Sequence, residues 1–114
     1  MFSTTESLQN ENLLRVPTWV KKNHLPPAAL PGARLFAQIG CLNCHTYLGT
    51  GGGFPRAPDL TREGLRHRGV RWQIRHLRCP ACVKPGSPMP EFAALGTARL
   101  RQIAAFLEAS RGGK

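Results

Sequence analysis

Apolar positions recur at helical spacing in three stretches of the chain, and glycine and proline break the pattern between them. The clearest stretch runs from Thr97 to Ser110, where Leu100, Ile103, Phe106 and Leu107 repeat at the three-, four- and seven-residue intervals of a single buried face. Thr97 suits an N-cap and Gly112-Gly113 a C-terminal stop. An earlier stretch, from Pro31 and Gly32 to about Ile39, puts Leu35, Phe36 and Ile39 on one side. Proline fits its first turn, and Gly40 ends it. The third stretch, Val70 to Leu77, sets Val70, Ile74 and Leu77 against a face of arginines and stops at Cys79-Pro80. A short helical turn is expected at 61–63. The segments Tyr47 to Pro58 and Cys79 to Pro90 read as glycine- and proline-rich loops. Few strands are expected. The expected fold is all-α, three to four helices with long loops and no repeats.

Residues 1–30 read differently. They hold one apolar cluster (Leu13, Leu14, Val16, Trp19, Val20), two lysines and then Pro26-Pro27. Proline removes a donor and stiffens the chain, so an N-terminal extension or partner-binding strap lying on a domain of residues 31–114 is expected rather than a helix, with Trp19 packed on that domain and a partner-binding anchor as the alternative.

Size sharpens the picture. At 114 residues the chain is one small domain that buries only part of its surface. The 12 Gly and 10 Pro leave little regular structure from which to build a core, so a large apolar cofactor would supply volume that side chains do not. Charge is lopsided, with 16 Lys and Arg against 6 Asp and Glu, and six arginines fall between Arg62 and Arg78. A net charge of +10 points to an acidic partner, whether a protein, an anionic membrane surface or nucleic acid, unless the arginines form only a solvated helix face. No run of about 18 apolar residues exists for a membrane span. So few carboxylates, with no Ser-His-Asp or paired-carboxylate arrangement, disfavour a hydrolytic enzyme.

The chemistry concentrates in Cys41-Leu42-Asn43-Cys44-His45. Two thiols three positions apart can each add to one vinyl group of a haem, and the attached histidine is then held beneath the iron; this spacing reads as c-type haem attachment. A second ligand is on offer in Ser87-Pro88-Met89-Pro90-Glu91-Phe92. The soft thioether of Met89 stabilises ferrous iron and raises the potential, and flanking prolines would hold it rigidly. Methionine usually fills core gaps, but Met89 lies in a polar, proline-bounded loop.

In this order the motifs resemble a class I c-type cytochrome over roughly residues 31–110. Gly32 and Phe36 resemble the family's first-helix pair, which packs against an aromatic of the last helix, here Phe106. Ala57-Pro58-Asp59-Leu60 is similar to the segment whose proline carbonyl accepts a hydrogen bond from the haem histidine, a bond that orients the ring and strengthens it as a donor. Pro88-Met89-Pro90-x-Phe92 resembles the methionine-ligand loop, and Trp72 an aromatic near a haem propionate. Arg56, Arg62, Arg71 and Arg75 are candidate propionate partners. The resemblance implies one haem c, electron transfer without substrate chemistry, axial ligation by His45 and Met89, and an acidic redox partner such as an oxidase, reductase or quinol-oxidising complex. The protein would act as a carrier or as a tightly bound subunit of a larger complex. It also implies a periplasmic or other extracytoplasmic location. Residues 1–14 do not read as a signal peptide, so the numbering is that of a mature form or the true start lies upstream.

Cys79-Pro80-Ala81-Cys82 departs from that family pattern. Val83 follows where a histidine would be needed, so a second covalent haem is not expected. A disulfide stiffening the loop before Met89 is the preferred reading, with an interchain bond, a reactive thiol pair or a metal clip as alternatives. All four cysteines together would make a zinc module binding nucleic acid. The long gap between the pairs, the absence of strand patterning, and the presence of His45 and Met89 argue against it. His24, His67 and His76 are expected at the surface, the last two among arginines that disfavour their protonation.

Overall fold

A computed structural model describes residues 11–113. In chain order it contains α1 (Val16–Asn23), a 3-10 turn (Pro27–Ala29), α2 (Leu30–Gln38), a 3-10 turn (Cys41–Asn43), β1 (Thr46–Tyr47), β2 (Thr50–Gly51), a 3-10 turn (Glu63–Arg66), α3 (Val70–Arg78), the one-turn α4 (Pro80–Val83), a 3-10 turn (Ala93–Leu95) and α5 (Thr97–Ala109). The fold is all-α apart from the small hairpin β1–β2. In that hairpin Thr46 pairs with Gly51 and Tyr47 with Thr50. Its two turn residues, Leu48 and Gly49, both have positive φ, as a two-residue hairpin of the primed type requires.

The core begins where α2 crosses α5. Gly32 is buried in α2, and a Cβ there would run into the Gln102 carbonyl and the Phe106 Cβ. Only a residue without a side chain lets the two backbones approach this closely. One turn further on, Phe36 meets Phe106 with ring centroids 5.1 Å apart. Leu100 and Ile103 of α5 are fully buried, and Leu107 nearly so, which is the stripe that the spacing of α5 implies.

Residues 16–23 correct the expectation of an extended strap. They form α1, and Trp19 enters the core, 4.8 Å from Tyr47, 5.9 Å from Phe36 and 6.2 Å from Phe106 between ring centroids. The physical reason is that Pro17 falls in the first turn, where a missing N–H costs no hydrogen bond. Val16, Trp19 and Asn23 are then buried at spacings of three and four. His24 ends the helix in the left-handed region, φ 50°. The part of the strap expectation that concerns residues 1–10 lies outside the described residues.

Polar side chains tie the remaining elements to this core. Asn23 Nδ2 donates to Tyr47 Oη at 2.7 Å and to the Thr61 carbonyl at 3.1 Å. Ser110 gives its proton to the Phe106 carbonyl (2.8 Å), so the Tyr47 hydroxyl donates to Ser110 Oγ, 2.7 Å away. On the other flank, the buried Gln73 of α3 donates from Nε2 to both Glu63 and Glu108, each at 2.9 Å. Glu63 also pairs with Arg68 (3.3 Å) and Arg66 (3.7 Å). The carboxylates thus lock α3 against α5 and fix the turn that precedes it.

Two expected boundaries move. The short turn lies at Glu63–Arg66 rather than 61–63. Thr97 opens α5 but does not cap it; its hydroxyl accepts a hydrogen bond from Arg78 at 2.5 Å, which links the end of α3 to the start of α5.

Candidate functional site

The Cys41–His45 segment leaves α2 through Gly40, whose φ of 92° lets the chain turn out of the helix. It then folds as a tight turn in which the amides of Cys44 and His45 both donate to the Cys41 carbonyl, at 3.3 and 2.9 Å. Cys41 is buried, and burial pushes its thiol up to about 12, the Cys44 sulfur adding a smaller push in the same direction. Cys44 is exposed. The two sulfurs therefore differ in environment though they share one turn.

His45 is half-buried, and its Nδ1 lies 2.8 Å from the Pro58 carbonyl oxygen. A carbonyl only accepts, so Nδ1 carries a proton, and it is Nε2 whose lone pair the neutral ring can offer. Pro58 is brought there by a bridge between Thr46 and Asp59, with the Leu60 amide donating to the Thr46 carbonyl at 2.9 Å. Asp59 braces the same bend by accepting from the Thr61 amide (2.9 Å) and hydroxyl (2.6 Å).

The glycine triplet has a role that its loop reading did not show. A Cβ at Gly51 would strike the His45 and Leu42 carbonyls, and one at Gly53 the Asn43 carbonyl. The Gly52 amide donates to the Leu42 carbonyl (3.3 Å) and the Phe54 amide to the Cys44 carbonyl (3.4 Å). Backbone lies directly on backbone, clamping the cysteine turn from outside. Glycines at this density beside a reactive turn were the available signal.

Met89 is half-buried against the core. Its segment returns to α3 through one backbone bond, the Phe92 amide to the Leu77 carbonyl at 2.8 Å. Trp72 is half-buried, with the Arg68 guanidinium 4.2 Å above its ring and His76 stacked 4.9 Å away at 12°. His76 is therefore not the surface histidine expected. Burial lowers its pKa; Glu63 opposes the shift and Arg68 adds to it. Of the proposed arginines, Arg62 lies against Gly112 near the C-terminus.

Cys79 and Cys82 face each other in disulfide geometry with Cα atoms 5.3 Å apart. Sulfurs committed to each other are not zinc ligands. No group of three His, Cys, Asp or Glu among the described residues is placed to hold a metal ion.

The donor set fits a covalently bound haem. One turn offers two thiols and an imidazole whose Nε2 is free, and a proline-bounded loop offers a thioether. Leu35, Ile39, Ile74, Phe92 and Leu95 pack on the core yet stay half-buried, the state of apolar side chains that a flat apolar group would cover.

Comparison with known proteins agrees. No curated protein and no solved structure matches the chain. The family described as cytochrome c oxidase, cbb3-type, subunit III matches residues 27–107, from the turn before α2 into the last turns of α5. The match includes the cysteine turn, Pro58, α3 and Met89 and covers most of the chain, which therefore belongs to this family of haem-binding, electron-transferring c-type cytochrome domains.

Proposed function

We propose that this protein is a single-haem electron-transfer cytochrome with His45 and Met89 as axial ligands, working on the periplasmic side of a membrane with a respiratory oxidase. The observation that carries the reading is the 2.8 Å contact between His45 Nδ1 and the Pro58 carbonyl, which fixes one tautomer and leaves Nε2 to coordinate. Bound through Cys41 and Cys44, a haem would supply a one-electron ferric/ferrous couple. The chain's residues do the rest. The Gly51–Gly53 clamp holds the cysteine turn, Pro58 orients the histidine, and Pro88 and Pro90 restrain Met89, so ligands move little between oxidation states. In this reading Trp72, which packs against Arg68 and His76, would lie at the propionate end, as the family resemblance implies.

The arginine face of α3 would steer an acidic partner, at a rate that falls with added salt. The family match favours stable association with an oxidase complex over free diffusion, since its description is that of an oxidase subunit. Co-purification with other chains separates the two cases.

The ligand assignment is tested by the ferric spectrum. Sulfur ligation gives a weak far-red band that Met89→Ala abolishes while the haem stays attached. A parent protein without that band would overturn the assignment.

A further inference from the structure

Electron transfer through a haem makes no use of Cys79 and Cys82, yet they occupy the joint between α3 and the segment carrying Met89. The Cys79 amide caps α3 by donating to the Arg75 carbonyl (3.1 Å), and the Cys79 carbonyl accepts from the Cys82 amide (3.0 Å). From there to Phe92 the described contacts are few. The Lys84 amide donates to the Pro80 carbonyl at 2.8 Å, the Ser87 amide to the Lys84 carbonyl at 3.0 Å and the Met89 amide to Ser87 Oγ at 3.3 Å. The disulfide at one end and the Phe92–Leu77 hydrogen bond at the other therefore bracket the methionine loop.

Accessibility and charge both suit exchange with an external thiol. Cys82 is exposed and Cys79 half-buried. No acidic residue lies between Glu63 and Glu91, whereas six Lys and Arg do. Such a field stabilises thiolates and draws in an anionic attacker. A structural bond meant to be inert would be better placed in the core, where no reductant could reach it.

We propose that Cys79 and Cys82 form a second redox site, a reversible two-electron dithiol/disulfide couple that exchanges with external dithiols and sets how firmly the Met89 loop closes. Its effect at the iron rests on the reading of residues 87–92 as the loop covering one haem face. In the forward step a donor thiolate attacks the exposed Cys82 sulfur. The bond to Cys79 breaks, and Cys79 leaves as a thiolate that takes up a proton. The donor's second thiolate then displaces Cys82, which is protonated in turn. Two electrons and two protons pass to the chain, and the donor departs as its own disulfide. A disulfide oxidant reverses the sequence.

The test uses the intact haem-loaded protein. It is treated with dithiothreitol without denaturant, alkylated with iodoacetamide, freed of reagents and reoxidised with ferricyanide. Intact mass should show two added labels, because thioether-bound Cys41 and Cys44 cannot react. Cyanide should then bind the ferric iron roughly tenfold faster than before treatment, in line with the ordering that a short disulfide ring provides. The Cys79→Ser/Cys82→Ser variant should match that rate without any label, which separates loop release from the bulk of the alkyl groups. No labelling of the folded protein, or a cyanide rate changed less than about twofold in both forms, would overturn the proposal. Absence of the far-red band in the untreated ferric protein would instead count against Met89 as ligand, because label count and cyanide rate still report on the disulfide and the loop.

Discussion

Replacing Trp19 with alanine tests whether α1 is part of the core or a strap laid upon it. Trp19 is only 1% exposed and lies within 6.2 Å of three other aromatic rings. A buried aromatic removes about 150–250 Å² from water, which at about 25 cal/mol per Å² is about 4–6 kcal/mol. That figure is an upper bound, because a denatured chain already hides part of the ring. Truncations of buried Trp and Phe cost about 3–5 kcal/mol once the residual cavity is included, and this is the expected loss here. It is a large share of the about 5–15 kcal/mol that holds a small domain together. Urea unfolding of the haem-loaded protein, followed by far-ultraviolet circular dichroism and by Soret absorbance, should show both transitions moving together to lower denaturant. A loss below about 1 kcal/mol, or a fall in the helix signal with the haem transition unmoved, would refute the reasoning: α1 would then be dispensable to the core.

Gly32→Ala should destabilise the protein by about 1–3 kcal/mol in the same assay, since the strain of overpacking against the Gln102 carbonyl outweighs the about 0.5–1 kcal/mol that alanine gains in a helix; unchanged or raised stability would show that the helices can separate freely. Burial raises the Tyr47 pKa above its ordinary 10, its hydrogen bonds with Ser110 and Asn23 opposing the shift. The unfolded chain therefore loses that proton first, so Tyr47's contribution is complete below pH 10 and fades as pH rises through the folded value. Tyr47→Phe should flatten the fall in stability above pH 10, and tyrosinate absorbance is unambiguous because the chain has a single tyrosine. A parent and variant with parallel curves would contradict the burial argument.

The parts of the fold that were legible in the sequence carry a local apolar stripe long enough to show the helical period, even where, as at Gln73 of α3, a polar residue is buried beside it. α2, α3 and α5 are marked by Leu, Ile, Phe and Val at helical spacing, and Cys41 to His45 announces its chemistry without reference to the rest of the chain. α1 escaped because one of its three buried residues is Asn23, a polar side chain that gives no apolar signal. Among the described residues its amide nitrogen is partnered only by Tyr47 and Thr61, both far along the chain. The clamp formed by Gly51 and Gly53 escaped for a related reason, since contact between two backbones leaves no side-chain pattern to read. His76 was the nearer miss: it follows Trp72 by four residues on α3, a spacing that puts two rings side by side.

The central claim is that Cys41 and Cys44 hold a haem covalently, with His45 beneath the iron. The most direct measurement is the reduced absorption spectrum of the purified protein, taken with acid–acetone extraction of the same sample. The account predicts sharp α and β bands and a pigment that stays with the precipitated protein. Haem recovered in the acetone, or zinc in place of iron in the metal analysis, would contradict it.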